Sequence, residues 1–480
     1  MQNIISWGSV LLVADVAMAL GVTIHAILWK RDSRSVIAWV GLAWLAPLLG
    51  TCAYICFGIN RIQRKAHALK RKNPKHDGLD PRLSEAHLQQ VEQFLEHYPS
   101  LAGLAMAGRN LTERALVAGN RVEALVNGDE AYPRMIAAID QAQQSVSLLS
   151  YIFDSDRSGE AFFAALVAAH ERGVAVRVLV DDIGSKYSRP NMVRRLRQAG
   201  VTAAAFLPTR IPLPRYANLR NHRKILVVDG SLGFTGGTNI REGHQLSLNP
   251  KHPVQCLHFE LQGPIVSQLQ DVFATDWSFT TGEQLHGESW FPEQPLVGDV
   301  WARGIEDGPD EDFEKLSDLI VAALASARHR VRIVTPYFLP NASLIQALNV
   351  AALRGVAVEI YLPAANNIAV VQWAAMAQLG QLLEKGCRVH CTPPPFDHTK
   401  LMVVDDMWSF IGSTNWDPRS LRLNFEFNVE CYDLKLAREL NALMDAKATE
   451  AREVTLAEVH RRGLLVRLRD GAARLLTPYL

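Results

Sequence analysis

His222-Arg223-Lys224-Ile225-Leu226-Val227-Val228-Asp229, followed by Gly236-Gly237-Thr238-Asn239, decides the reading of this chain because it occurs twice. His398-Thr399-Lys400-Leu401-Met402-Val403-Val404-Asp405 and Gly412-Ser413-Thr414-Asn415 repeat it, each 176 residues downstream (222 to 398, 239 to 415). Arg172-Gly173-Val174 is answered by Arg354-Gly355-Val356, now 182 residues on (172 to 354), so a small insertion separates the landmarks. Tyr151-Ile152-Phe153 is answered by Tyr337-Phe338-Leu339. Two copies make an internal duplication rather than a solenoid. The expected product is two similar lobes about a pseudo-two-fold axis, with equivalent residues meeting at the shared interface.

Working outward, short apolar runs alternate with helical patterns: Val146–Phe153, Val174–Val180, Ile225–Val228, Val331–Thr335, Val356–Leu362 and Leu401–Val404. That alternation predicts an α/β fold. With 480 residues the chain exceeds one ordinary core. The predicted organisation is a hairpin anchor over 1–60, a basic and polar connector over 61–120, a first lobe over 121–300 and a second over 301–480. The tail from Arg461 to Leu480 mixes Leu and Val with Arg461, Arg462, Arg467, Arg469 and Arg474. A membrane-surface helix and an ordinary solvated helix fit it equally.

Two apolar stretches, about Ile4–Trp29 and Val36–Phe57, are each long enough to cross a hydrocarbon core. The short linker between them predicts a transmembrane helical hairpin. Asp15 lies within the first stretch, where a charge costs about 2.5–3.5 kcal/mol. The linker carries Lys30, Arg31 and Arg34; the segment after the second stretch carries Arg61, Arg64, Lys65, Lys70, Arg71, Lys72 and Lys75. The larger basic cluster places the rest of the chain in the cytoplasm. A balance of 50 Lys and Arg against 49 Asp and Glu gives no general attraction for nucleic acid, so an anionic substrate needs a local site.

The repeated motif supplies such a site. Residues two apart on a strand face one side, so His222 and Lys224 point together, as do His398 and Lys400. Asn239 and Asn415 follow small-residue turns that let backbone approach a ligand. Two imidazoles, two ammonium groups and two amides around one pocket suit a phosphodiester. The lysines balance charge on the non-bridging oxygens and the asparagines donate to them. One neutral imidazole attacks phosphorus while the other, protonated, donates to the leaving alkoxide. No metal or other cofactor is expected. Cys387, His390 and Cys391 have ligand-like spacing, but no second cluster completes a four-ligand set. Asp181-Asp182 reads as a strand-end turn.

These paired motifs resemble the signature of the phospholipase D superfamily. Three further stretches are similar to bacterial cardiolipin synthases: the hairpin with Ala38-Trp39, Pro47 and Tyr54-Ile55-Cys56-Phe57-Gly58; Asn218-Leu219-Arg220-Asn221 leading into the first motif; and Thr335-Pro336-Tyr337-Phe338-Leu339-Pro340, followed by Arg419-Ser420-Leu421 and Asn424-Phe425-Glu426. The resemblance implies a bacterial inner-membrane, multi-pass enzyme that makes cardiolipin from two phosphatidylglycerols and releases glycerol. His222 is then the nucleophile and His398 the general acid. Lys224, Lys400, Asn239 and Asn415 hold the phosphate, and Asp229 and Asp405 complete the motifs by supporting their loops. A hydrolytic phospholipase D or, further off, a nuclease of the same superfamily would share these motifs. The acceptor is left open between phosphatidylglycerol, phosphatidylethanolamine and another alcohol.

One departure stands out. The resemblance implies an acidic residue after each motif that orients its histidine. Glu426 fits in the second half, whereas the matching place in the first half holds Cys256, beside Gln255. A thiol is a poor orienter, with the Gln255 carbonyl oxygen as its substitute; either the nucleophile is less well held, or the two histidines exchange roles.

Overall fold

The computed structural model describes residues 7–30, 33–58, 93–94, 96–112, 114–187, 189–208, 219–308 and 314–477. Arg31, the basic run Arg61–Lys75 and Asn218 lie outside the described residues. The chain forms two compact units, Met1–Ala68 and Leu69–Leu480.

In the first unit a helix spans Trp7–Trp29, and its Val10–Trp29 portion is long and apolar enough to cross a membrane. The second apolar stretch, expected as one span, is broken into helices Ser33–Leu45 and Pro47–Ala53 and a π-helical turn Tyr54–Gly58. Proline explains the break: Pro47 has no N–H to continue the ladder and starts a new helix, while Ala46 leaves helical geometry (φ −144°, ψ 77°). The helices pack through small residues, with Ala19, Val22, Ala26 and Ala43 buried against Tyr54. His25 Nδ1 lies 2.8 Å from the Tyr54 hydroxyl, and Trp44 Nε1 donates to Thr23 Oγ1 at 3.1 Å.

Among the described residues, the second unit is built on one 15-stranded sheet. From one edge it runs Thr202–Phe206, Ala175–Asp181, Ser145–Ser150, Ile225–Val228, Leu232–Gly236, Leu257–Gln262 and Val117–Val126. It continues through Val300–Asp307, Glu426–Tyr432, Trp408–Gly412, Leu401–Val404, Arg330–Val334, Ala357–Pro363, Arg388–Thr392 and Arg452–Val454. Apart from the last edge strand, the second list mirrors the first. The duplicated lobes therefore share one sheet, joined where Val117 pairs with Ala302 and Asn120 with Val300. A bulge at Gly119 (φ +81°) breaks that register, and buried Asn120 fills it by donating to Val117 O and Val300 O.

Each lobe contains βαβ units whose inner parallel strands, such as Ser145–Ser150 and Arg330–Val334, are largely buried on both faces and hence rich in apolar residues. Polar side chains set the helix starts: Asp156 accepts from Gly159 N, Asn341 from Leu344 N and Asp433 from Leu436 N. An antiparallel hairpin follows in each lobe, Ile225–Val228 with Leu232–Gly236 and Leu401–Val404 with Trp408–Gly412. At its turn sit Asp229 (φ +49°) and Asp405 (φ +50°). Each carboxylate accepts three backbone amides, from Gln143, Gln144 and Ser145 or from Arg328, His329 and Arg330. These two aspartates thus anchor the turn, at the opposite end of the strand from the histidine of the same motif. Their place in the motif is scaffold rather than chemistry.

Candidate active site

Both histidines stand just before their hairpin strands, and each is tied by its backbone to the other lobe. His222 N donates to Phe425 O at 2.9 Å and Phe425 N to Arg220 O at 2.8 Å. His398 N donates to Gln255 O at 2.7 Å, beside the short parallel pairing of Val254–Gln255 with Phe396–Asp397. This exchange across the pseudo-two-fold axis brings the two rings together, with centroids 6.4 Å apart and planes at 81°. Both residues are buried.

The ring partners fix which nitrogen faces the site. His222 Nδ1 lies 3.1 Å from both carboxylate oxygens of Glu426, and His398 Nδ1 lies 3.0 Å from Gly237 O. An ionised carboxylate and a carbonyl only accept, so both Nδ1 atoms carry hydrogen and both Nε2 atoms keep a lone pair for chemistry. Glu426 also accepts from Ser413 Oγ and from Asn424 Nδ2. Burial by itself would raise its carboxyl, but His222, Lys224 and the Ser413 bond outweigh that and hold it below the usual range.

The crossed arrangement corrects the expectation that each orienting residue serves the histidine of its own half. Gly236 pairs with His258 and Gly412 with Asn428, so Cys256 and Glu426, each two residues earlier, occupy equivalent places. Glu426 reaches across to His222, while Cys256 lies by His398, its Sγ 3.4 Å from His398 O. The thiol thus falls to the second histidine, and the first has the carboxylate. Gln255 does not orient a ring through its side chain, whose oxygen accepts from Lys447 Nζ at 3.4 Å.

Lys224 and Lys400 are buried and equivalent, each Nζ donating at 2.6 Å to the backbone carbonyl of its own motif's histidine. Burial pushes Lys224 down to about 7, against the pull of Glu426, and Lys400 down to about 8, against Cys256 and Glu426. Burial likewise lowers His222 to about 4, opposed by Glu426 and helped by Lys224. It also drives His398 well below the ordinary histidine value, with Lys400 adding to the effect. Burial thus favours neutral imidazoles and weakens the charge on both lysines, a penalty that a nearby anion would offset. Asn239 Oδ1 accepts from Ile152 N at 3.2 Å, which leaves its NH2 group available to a ligand. The Asn415 amide donates to Ser420 Oγ at 3.2 Å.

Other side chains complete the walls. The Tyr151 ring lies 5.3 Å from that of His222 and the Tyr337 ring 6.4 Å from that of His398, two equivalents from the upstream landmarks of the repeat. His244, buried with its ring 6.2 Å from His398, was not singled out by its motif, but lies 176 residues before Ser420 (244 to 420). Extending the repeat alignment five residues past Asn239 finds it. Asp181 accepts from Asn221 N and pairs with Arg220, while Arg223 pairs with Asp276 at 2.7 Å. These buried pairs clamp the residues on either side of His222. Among the described residues, no group of three His, Cys, Asp or Glu is placed to hold a metal ion.

Two imidazoles with centroids 6.4 Å apart, each keeping Nε2 open, and two buried lysines beside them are a set of groups suited to displacement at a phosphodiester. The family model described as "Cardiolipin synthase, PLD-like domain" matches residues 135–277 and 320–447, more than half of the chain. The chain is 32% identical over 461 residues to the major cardiolipin synthase ClsA of Bacillus subtilis, covering 94% of this chain and 95% of that protein. It is 32% identical over 472 residues to cardiolipin synthase A of Pseudomonas fluorescens, with 96% of each covered. Among solved structures, phosphatidylserine synthase of Haemophilus influenzae shares the fold (TM-score 0.60, 15% identity), covering 78% of this chain and all of that one.

Proposed function

The chain belongs to the cardiolipin synthase, PLD-like family, and from that premise we propose that it joins two phosphatidylglycerols into cardiolipin through a phosphatidyl-histidine. The family makes it an enzyme of the phosphatidyltransferase kind. The observation that carries the finer reading is the 6.4 Å separation of two imidazoles whose Nδ1 atoms are both occupied. A phosphorus between the rings is within reach of both Nε2 atoms.

In the first half-reaction His222 Nε2 attacks phosphorus. The P–O bond to the headgroup glycerol breaks, and His398 Nε2 gives the departing oxygen its proton. His398 reaches its protonated form when the anionic phosphodiester enters, because that negative charge reverses the burial penalty. Glu426 offsets the positive charge that forms on the phosphorylated His222 ring. In the second half-reaction His398 takes the proton from a headgroup hydroxyl of the second phosphatidylglycerol. That oxygen attacks phosphorus, the P–N bond breaks and His222 returns to its starting state. Lys224, Lys400 and Asn239 carry the charge on the non-bridging oxygens throughout. The hairpin tethers the chain to the bilayer that supplies both lipids, with the catalytic unit on the cytoplasmic side, so their capture is local.

Incubating purified protein with labelled phosphatidylglycerol tests the reading. Cardiolipin and free glycerol in equal amounts are expected. Phosphatidic acid as sole product would establish hydrolysis instead, and cardiolipin formed only when phosphatidylethanolamine is supplied would change the acceptor. Protease sensitivity of a reporter fused after Leu480, in intact spheroplasts, would overturn the cytoplasmic orientation.

A further inference from the structure

The helix Leu464–Leu475 faces the wrong way for a soluble protein. On a wheel of about 100° per residue, Leu464, Leu468 and Leu475 share one stripe within about 40°. They are 70%, 60% and 79% exposed, and neighbouring Leu465 is 81% exposed. The opposite face is the docked one: Asp470 and Ala473 are buried, and Asp470, the helix's single acidic residue, is bound by Arg462 and Arg469. Arg467 and Arg474 border the leucine stripe on one side and Arg469 on the other. An apolar ridge turned outward between arginines is the geometry of a helix lying in a membrane interface.

The helix also borders the site. Ala473 packs in one apolar cluster with Leu339, Ala374 and Tyr337, and the Arg469 guanidinium lies 4.5 Å over the Trp373 ring. Tyr337 in turn lies against the His398 ring. A surface seated on the leucine ridge is therefore joined to the wall of the site through two layers of side chains.

We infer that Leu464–Leu475 is a second membrane contact, docking on an anionic phospholipid surface with its leucines in the acyl region and Arg467 and Arg474 at the phosphates. It rests on the proposed function only for the identity of the lipid drawn into the site. Docking brings the Tyr337 side of the pocket to the headgroups, so a lipid enters by lifting its headgroup rather than by leaving the bilayer.

The test uses the full chain reconstituted in vesicles, with a polarity-sensitive fluorophore on Leu468→Cys in a Cys52→Ser background. On vesicles containing phosphatidylglycerol, a blue-shifted emission about threefold brighter than in detergent is expected, falling toward the detergent value on phosphatidylcholine alone or in Arg467→Glu/Arg474→Glu. A spectrum that ignores lipid charge and both arginines overturns the inference, and so does cross-linking that finds position 468 against a second copy of the chain. A second arm compares Leu464→Ser/Leu468→Ser/Leu475→Ser with the parent on two substrates. A roughly tenfold slower rate on vesicles with an unchanged rate on monomeric short-chain phosphatidylglycerol supports docking. Equal loss on both, or loss on neither, overturns it. If fluorescence reports docking while no phosphatidylglycerol is turned over by the parent, the proposed function fails and the docking surface stands.

Discussion

Replacing Glu426 by Gln probes the crossed arrangement most sharply, because the structure predicts what the change spares. The side chain is fully buried, with both oxygens 3.1 Å from His222 Nδ1. Asn424 Nδ2 donates to one oxygen and the Ser413 hydroxyl to the other. A glutamine settles with its carbonyl toward Asn424 and its NH2 toward Ser413, since a hydroxyl can turn to accept. His222 keeps an acceptor at Nδ1 and hence its tautomer, so the loss is chiefly the negative charge. A full charge about 4 Å from the ring is worth about 4 kcal/mol at an effective dielectric near 20. With half to three-quarters of the ring's positive charge formed in the transition state, that is about 2–3 kcal/mol, or roughly 30- to 160-fold in rate. Rapid-quench labelling with acyl-labelled phosphatidylglycerol, whose label stays on the enzyme when glycerol leaves, measures this first step directly. Labelling within about threefold of the parent, by a folded variant, would refute an electrostatic role for Glu426 at His222.

Three further outcomes follow from the same geometry. In the free enzyme, His222 loses its nucleophilic form below about 4 and Lys224 loses its charge above about 7. Thus kcat/KM is expected to hold between those values and fall above pH 7; a rise through pH 8 would contradict the assignment. Holding Lys224 at about 7 against its ordinary 10.5 costs roughly 4 kcal/mol of folding stability at neutral pH, because the unfolded chain stays protonated where the folded one does not. Lys224→Met is therefore expected to abolish most turnover while raising stability by about 2–3 kcal/mol, and to remove the part of the parent's stability gain between pH 7 and 10 that this group supplies, read by denaturant unfolding at several pH values. Asp229→Ala removes three amide bonds at a turn and should cost about 2–3 kcal/mol of stability, with turnover by the folded protein unchanged in a melting and activity comparison.

The duplication was legible because its landmarks carry chemistry: His222 and His398 recur with Lys, Asp and Asn at fixed offsets, and spacing survives where apolar residues drift. The parallel strands were legible for a related reason, since burial on both faces leaves runs such as Val146–Leu149. What spacing cannot convey is which lobe a strand's neighbour belongs to. Cys256 therefore looked like a defect beside His222, whereas the backbone bonds of His222 to Phe425 and of His398 to Gln255 hand Glu426 to the first histidine. Gln255 was drawn in by adjacency alone, and its side chain turns to Lys447. The second apolar stretch read as one span because hydropathy averages over Pro47, which ends one helix and starts another. His244 lies five residues past the repeated Asn239, within reach of a longer alignment, whereas the salt-bridged Asp276 needed tertiary structure because it belongs to no repeated pattern. The leucine ridge of Leu464–Leu475 was ambiguous in sequence, because a wheel shows that a helix has two faces but not which one is docked.

Catalysis by this site requires two imidazoles from separate lobes to serve one phosphorus. Trapping labelled enzyme after incubation with acyl-labelled phosphatidylglycerol, in His222→Ala and His398→Ala side by side, tests this directly. Acid-labile label absent from His222→Ala, yet building up slowly and persisting in His398→Ala, whose first step lacks its acid and whose second lacks its base, is the predicted pattern. Label on His222→Ala at the parent's stoichiometry would contradict it.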